Sequence, residues 1–299
     1  MTGNAPAGAT PAHVLLSLAR GRLQAAGLDS ALLEARLLLA HVLGAPPESL
    51  LAEPNRPVSA GAQAQFDQVL QRRLSREPLF YIIGEREFYG LAFQVDARAL
   101  IPRPETELLI EEVLQAEREA GREPPDGAGL WIADIGTGSG CVAVALATVL
   151  PKARLVATDI SADALQLARV NATRHGVAER VSFKQGDLLT PLPGPMDIIV
   201  ANPPYIPAEN LPTLQPEIRD FEPRVAVNGG DGGMTIAERL LRQAPPFLRR
   251  GGRLFMEVGY GQASVMVDTA RAVFPRGAEV DMALDLAGIP RVVRVRQPE

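Results

Sequence analysis

Asn202-Pro203-Pro204-Tyr205 places two carbonyl acceptors and an aromatic ring within four residues. The Asn202 side-chain carbonyl and the Pro203 backbone carbonyl can converge on one planar amino group, with the Tyr205 ring against its face. Such a set suits transfer of a group to an –NH2 held on a conjugated carbon. The residues before it, Met196-Asp197-Ile198-Ile199-Val200-Ala201, form an apolar run that reads as a buried strand. The prolines stop that strand and forbid an immediate helix. Asn202 and Tyr205 are therefore expected at the carboxyl edge of an open sheet, where ligands bind in such folds.

A second constellation lies upstream. Asp134-Ile135-Gly136-Thr137-Gly138-Ser139-Gly140 joins a predicted strand to a predicted helix. Glycines there let the backbone turn sharply and approach a ligand, and the helix N-terminus adds donors. The spacing is G-x-G-x-G, without the G-x-G-x-x-G of the dinucleotide fingerprint, and no Walker lysine follows. Asp159 ends the next predicted strand, where a carboxylate can accept both ribose hydroxyls. It could instead favour a helix start, with Ser161 as N-cap. Asp187, in Gly186-Asp187-Leu188, could accept an adenine amino group with Leu188 against the ring, or serve as a turn residue. Asp134 could contact the cofactor's amino-acid part or brace the glycine loop. Cys141 is expected to pack as a small helix residue.

These residues need a frame to position them. Leu130–Ile135, Arg154–Asp159, Val181–Phe183, Met196–Ala201 and Arg253–Val258 read as strands, with helical runs such as Cys141–Leu150 and Ala164–His175 between most of them. That alternation implies an α/β fold with a mainly parallel sheet covered by helices. Val280–Leu284 and Arg291–Val295, joined by a tight turn at Gly288-Ile289-Pro290, add an antiparallel edge. The N-terminal part has a different rhythm. Helices are expected over Pro11–Gly27, over Ser30–Leu43 (Leu32, Leu33, Leu37 and Ala40 at helical spacing) and from Ser59 to Arg76. Phe88 to Phe93 suggests a β-hairpin, and Pro104 with Glu105 and Glu107 opens a further helix. The resulting division is a helical domain over 1–80, a β-hairpin linker over 81–105 and an α/β domain over 106–299. Gly121–Gly129 reads as a loop, the residues before Pro11 as a loose end, and Ile206–Gly233 as a lid over the Asn202 site.

Composition narrows the classes. With 46% hydrophobic and 22% charged residues among 299, the chain is an ordinary globular one. A net charge of −5, with only short basic pairs such as Arg72-Arg73 and Arg249-Arg250, disfavours stable nucleic-acid binding. One cysteine and three scattered histidines offer no disulfide framework and no metal cluster. No secretion signal or membrane-spanning run is seen, so a cytoplasmic location is expected.

The glycine loop, Asp159, Asp187 and Asn202–Tyr205, in that order, resemble a class I S-adenosylmethionine-dependent methyltransferase of the amino-methylating kind. Gly84-Glu85-Arg86-Glu87-Phe88-Tyr89, Leu100–Glu107 (LIPRPETE) and Phe221–Ala226 (FEPRVA) are similar to the protein-(glutamine-N5) methyltransferases of peptide chain release factors, the HemK/PrmC family. The resemblance covers roughly Ser30 to Arg296; Val227-Asn228-Gly229 stands where relatives vary, and the N-terminal nine residues match nothing. It implies a Rossmann-like, mostly parallel seven-stranded sheet with an antiparallel edge, plus a small N-terminal helical bundle. It also implies S-adenosyl-L-methionine as cofactor and, as substrate, the glutamine of a release factor's Gly-Gly-Gln motif. The Asn202–Tyr205 segment, Pro204 included, would hold that glutamine, and the bundle would help grip the release factor. Arg103 would brace the site, reach the substrate backbone, or pair with Glu105 or Glu222. Phe88 and Tyr89 would line the substrate entrance or pack the hairpin. Asn-Pro-Pro-Tyr also occurs in adenine and guanine amino-methyltransferases, which is the principal alternative. A nicotinamide oxidoreductase leaves Asn202–Tyr205 unexplained, and an idle interaction module leaves the whole set unexplained.

Overall fold

The computed structural model describes residues 9–122 and 125–299. The loose end expected before Pro11 falls largely outside the described residues, as does the centre of the Gly121–Gly129 loop. The chain divides into two compact units: one runs through Gly84 and takes in Pro216–Phe221, the other comprises Glu85–Gln215 and Glu222–Glu299. No helix among the described residues is long and apolar enough to cross a membrane.

The first unit is built on helices Ala12–Ala25, Ala31–Leu43 and Ala60–Leu74. Gly44, at φ 56°, ends the second in the left-handed conformation that glycine adopts without steric cost. Ser59 caps the third, its Oγ accepting from the Ala62 N–H at 3.3 Å. Leu16, Ala19 and Leu23 of the first helix meet Ala31, Ala35, Leu38 and Leu39 of the second and Phe66 and Leu70 of the third in one core. The expected stripe is thus corrected: Leu32 and Leu33 are exposed, and the small residues Ala31 and Ala35 face inward. Arg73 is also buried, pairing with Glu34 at 2.6 Å and with Glu217 at 2.9 Å, and Glu217 takes Arg76 at 2.8 Å. Removing a partner from a buried charge leaves it uncompensated. Glu217→Ala is therefore expected to lower unfolding free energy by about 1–3 kcal/mol, read from the denaturant midpoint at unchanged m-value.

The second unit holds a seven-stranded sheet. Its strands are β1 (Trp131–Ile135), β2 (Arg154–Asp159), β3 (Val181–Gln185), β4 (Met196–Ala201), β5 (Leu248–Glu257), β6 (Glu279–Leu284) and β7 (Pro290–Arg296). Their spatial order is β6-β7-β5-β4-β1-β2-β3. The five strands from β5 to β3 pair in parallel, while β7 runs antiparallel to both β5 and β6. The order reverses at β1 and β4, so their carboxyl ends flank the switch point where such sheets bind ligands. Helix Cys141–Val149 buries nearly every side chain, from Cys141 to Ala147, because it packs on the sheet and against helices Glu107–Glu119 and Ala162–Arg174.

The hairpin Glu85–Phe88/Leu91–Gln94 is part of this unit, which corrects its reading as a linker. Its two-residue turn, Tyr89-Gly90, has φ of 51° and 73°, the sign pattern of the tight turns that match strand twist. Phe88 and Phe93 stack edge to face at 6.1 Å inside the main core, so Phe88 packs the hairpin and does not line an entrance. The Tyr89 hydroxyl hydrogen-bonds Glu111, and its N–H donates to Glu107 at 2.9 Å. Asn171, fully buried, exchanges hydrogen bonds with Gln94 and donates to the Ser139 carbonyl at 2.9 Å, tying the hairpin to the glycine loop.

Ile206–Gly233 is not a structureless lid. It contains the strand pair Ile206–Pro207 and Asn228–Gly230, the helices Pro216–Phe221 and Arg224–Val227, and two 3-10 turns. Backbone pairing of Asn228 with Ile206 orders it without any side-chain periodicity.

Candidate active site

At the carboxyl ends of β1, β2 and β4 the second unit encloses a cavity of about 460 Å³. Of the residues singled out in the sequence, Asp134, Gly136, Thr137, Gly138, Ser139, Asp159, Asp187, Leu188, Asn202, Pro204 and Arg103 all line it. Gly140, Pro203 and Tyr205 do not.

The glycine loop owes its shape to Asp134. This carboxylate is buried at the end of β1, and its Oδ2 accepts from the Thr137 hydroxyl at 2.6 Å and the Ala143 N–H at 3.1 Å. Burial pushes its pKa up to about 6, against the pull of those donors. The brace is thus the role the structure displays. Gly136 and Gly138 have φ of 72° and 56°, and a Cβ on Gly136 would meet nothing within 4 Å. Conformation, not crowding, requires glycine there. Gly140 differs, because its Cβ would stand 3.0 Å from that of Ala168, so glycine allows two helices to meet closely.

Asp159 ends β2 and meets both the glycine loop and the start of the next helix. Its Oδ2 accepts from the Gly138 N–H at 2.9 Å and its Oδ1 from the Ser161 N–H at 2.8 Å. Each oxygen keeps a further lone pair for a ligand hydroxyl. Burial raises its pKa above the ordinary range, against those backbone donors. Asp187 is half exposed and its carboxylate pairs with Arg239, which also lines the cavity. Leu188 beside it takes φ 52°, turning its chain into the wall. Cys141 lines the wall too, but burial pushes its thiol up to about 12, leaving it a packing residue.

On the other side of the cavity, Asn202 follows β4 directly. Its Nδ2 donates to the Thr106 hydroxyl oxygen at 3.0 Å. Glu257, the last residue of β5, follows Met256, which pairs with Ala201 beside Asn202. Glu257 is 2% exposed, and burial pushes its carboxyl up to about 7. Arg103 donates from Nη2 to both Glu222 oxygens, at 2.8 and 2.7 Å, which settles its pairing in favour of Glu222 over Glu105.

Tyr205 is turned away from the cavity. A Cβ on Gly259 would come within 3.1 Å of the Tyr205 ring, so the ring lies over that glycine. Burial, then the neighbouring Glu257 charge, pushes its hydroxyl up to about 12. The Gln262 amide fastens the segment, accepting from the Gly259 N–H and donating to the Tyr205 carbonyl, both at 2.9 Å. Thr106, Glu257, Gln262, Asn171 and Arg239 are the residues sequence reasoning missed. Only Thr106 and Gln262 left a signal, in Leu100–Glu107 and in the Gly-Tyr-Gly-Gln after β5.

A glycine loop after the first strand, with carboxylates at the ends of the first and second strands and a single antiparallel strand in the sheet, defines a class I methyltransferase. The donor set fits S-adenosyl-L-methionine: apolar wall for the adenine, the Asp159 carboxylate for hydroxyls, and open glycine backbone. Residues 15–84 match the PrmC N-terminal domain family, and residues 106–214 the methyltransferase small domain family. The release factor glutamine methyltransferase of Bradyrhizobium diazoefficiens is 41% identical over 92% of this chain and 91% of its own. That of Koribacter versatilis is 42% identical over 92% of this chain and 95% of its own. A methyltransferase structure from Pyrococcus furiosus, 16% identical, superposes with a TM-score of 0.50 over 80% of this chain and 100% of that one, a likeness of fold. The chain belongs to the release factor glutamine methyltransferase family.

Proposed function

We propose that the protein methylates the side-chain amide nitrogen, N5, of the glutamine in the Gly-Gly-Gln motif of peptide chain release factors. The carrying observation is that Asn202, with its amide nitrogen already engaged by Thr106, opens onto the same cavity as the glycine loop and Asp159. Its Oδ1 is the acceptor left for an incoming N–H.

Bound in this cavity, S-adenosyl-L-methionine supplies an electrophilic methyl group on a sulfonium. Asp159 holds the ribose hydroxyls, the loop from Gly136 to Ser139 faces the amino-acid part, and Leu188 covers the adenine; the N–H groups of Gly136, Thr137 and Gly138 are engaged by Thr158 and Asp159, so they shape the loop and do not bind the ligand. Because Asp187 is paired with Arg239, it reaches an adenine amino group only as part of that pair. The target amide nitrogen is a poor nucleophile, since its lone pair is delocalised into the carbonyl, and no side-chain base deprotonates it beforehand. Asn202 Oδ1 and the Pro203 carbonyl accept its two N–H bonds and aim the nitrogen at the methyl. Orientation of that kind supplies about 7–11 kcal/mol. The same two acceptors gain strength as positive charge develops on nitrogen, a stabilisation confined to the transition state. The proton then leaves to water. Arg103 and Pro204 form the edge over which the substrate enters, and Tyr205 closes the end of the site from behind. The helical unit grips the release factor, for which exposed Leu18, Leu32, Leu33 and Leu51 supply apolar surface. A cytoplasmic location follows from that substrate.

The test is the intact mass of a release factor after incubation with the protein and S-adenosylmethionine. A gain of one methyl mapped to the Gly-Gly-Gln glutamine supports the reading, and methyl on another residue rejects it. Asp159→Ala is expected to weaken cofactor affinity about 10- to 100-fold, in line with loss of hydrogen bonds to a charged group, with kcat at saturating cofactor changed far less. Calorimetry returning wild-type affinity would remove the ribose assignment.

Methylation of an adenine or guanine amino group poses the same chemical problem. It is disfavoured by the fate of the basic pairs: Arg72 is taken by Glu77, Arg73 by Glu34 and Glu217, and Arg249 by Asp197. Few phosphates could be neutralised, so little counterion release is available. No micromolar gel shift with duplex DNA is expected at physiological salt; one that weakens steeply with added salt would revive that reading.

A further inference from the structure

Four arginines line the cavity: Arg98, Arg103, Arg224 and Arg239. Three are committed to carboxylates of this chain. Asp96 takes Arg98 through two hydrogen bonds, at 2.8 and 2.7 Å, Glu222 takes Arg103, and Asp187 takes Arg239. Arg224 stands apart. Among the described residues its side chain makes no hydrogen bond and no ion pair. It is exposed at the rim, and its neighbour Val225, which also lines the cavity, is 52% exposed. A guanidinium stays charged and carries five N–H donors in a fixed plane, with no acceptor of its own. What it lacks here is an oxygen.

The place of Arg224 says which oxygen. It opens the helix Arg224–Val227, which Pro223 sets directly after Glu222, the carboxylate that holds Arg103. Beyond the helix, Asn228 pairs with Ile206, and a Cβ on Gly229 would stand 2.7 Å from the Pro204 carbonyl oxygen. The helix is thus tied to the Asn202–Tyr205 side of the cavity, opposite the glycine loop braced by Asp134. A ligand on that side is the methyl acceptor. The two residues before the target glutamine are glycines, which offer no side chain to recognise, only main-chain carbonyls. Without Cβ atoms they also let a planar group come close. Arg103, held by Glu222, is not free for that task.

We infer that Arg224 binds the main chain of the release factor, donating to the carbonyl oxygens of the two glycines that precede the target glutamine. This rests on the reading of the substrate given above. The carboxylate of S-adenosylmethionine offers a guanidinium the same kind of acceptor, and the experiment separates the two sources.

The experiment measures kcat and KM with intact release factor, and S-adenosylmethionine affinity by calorimetry, for wild type, Arg224→Ala and Arg224→Lys, with thermal melting as the control for folding. Arg224→Ala is expected to lower kcat/KM about 10- to 100-fold, as loss of hydrogen bonds to a charged group does, with cofactor affinity within twofold of wild type. Arg224→Lys keeps the charge without the fork and should recover only part of the loss; full recovery would reduce the contribution to charge and overturn the carbonyl assignment. A synthetic peptide spanning the motif then identifies the partner. Exchanging a glycine carbonyl for a thiocarbonyl, a weaker acceptor, should slow wild type at one or both glycines and have little effect in Arg224→Ala. Kinetics of Arg224→Ala within twofold of wild type overturn the inference, as does a thiocarbonyl effect that is absent from wild type or equal in the two enzymes. Loss of cofactor affinity in Arg224→Ala overturns it too, and assigns the arginine to the cofactor carboxylate. If wild type places methyl on a residue other than this glutamine, the substrate reading falls and takes the inference with it. If the glutamine is methylated and Arg224→Ala is unaffected, the inference alone falls.

Discussion

A release factor carrying Glu in place of the target Gln is expected to take up no methyl at that position. Asn202 Oδ1 and the Pro203 carbonyl are acceptors, and Asn202 cannot turn its nitrogen toward the substrate while Thr106 holds it. A carboxylate would face two carbonyl oxygens with like partial charge, and it has no nitrogen to attack. Sites built to pair with a substrate's polar hydrogens reject analogues lacking them by about 10⁴–10⁵-fold. A tritiated-methyl transfer assay on the intact release factor, its Gln→Glu variant and an adenine-containing oligonucleotide separates the possibilities. Label in the variant at that position, or in the oligonucleotide ahead of the release factor, would overturn the substrate assignment.

Asn202→Ala is expected to reduce kcat by about 10²–10³-fold, the scale found when one polar group that stabilises a transition state is removed. Its effect should fall on turnover and not on cofactor binding, because the cofactor side of the cavity is held by a separate set of contacts through Asp134 and Asp159. Single-turnover kinetics with calorimetric affinity for S-adenosylmethionine provides the split. Activity within a few-fold of wild type would end the acceptor role. A parallel loss of cofactor affinity would make Asn202 a cofactor ligand instead.

The two predictions rest on residues that were legible for a physical reason. An apolar run stopped by two prolines has few places to go, so Asn202 could be set at a strand end from sequence alone. The glycine loop was legible because positive φ at Gly136 and Gly138 excludes most other residues. The strand alternation was legible because a parallel sheet covered on both faces reads as a series of apolar blocks. What stayed hidden depends on groups brought together from afar. Thr106 and Asn202 are separated by 96 positions, and no local pattern records that they meet. Glu257 looked like an ordinary polar residue after an apolar strand. The Ser30–Leu43 helix misled because leucines occur on more than one face, and only packing against the first helix shows that Ala31 and Ala35 face the core. Tyr205 misled too: an aromatic beside an acceptor invites a stacking role, whereas its ring lies over Gly259.

Arg73 and Glu217 are 144 positions apart in the chain. During synthesis at about 5–20 residues per second, roughly 7–30 s pass between the appearance of one and the other. Throughout that interval the helices up to Gly84 have Glu34 as the one acid of the pair available to Arg73. The helical unit therefore reaches its final form only after most of the methyltransferase sheet has left the ribosome. A fragment cut at Gly84, where the family boundary falls, would repeat that unfinished state permanently. It should be rescued in trans by a short peptide spanning Pro216–Phe221, a complementation that a self-sufficient module would not need.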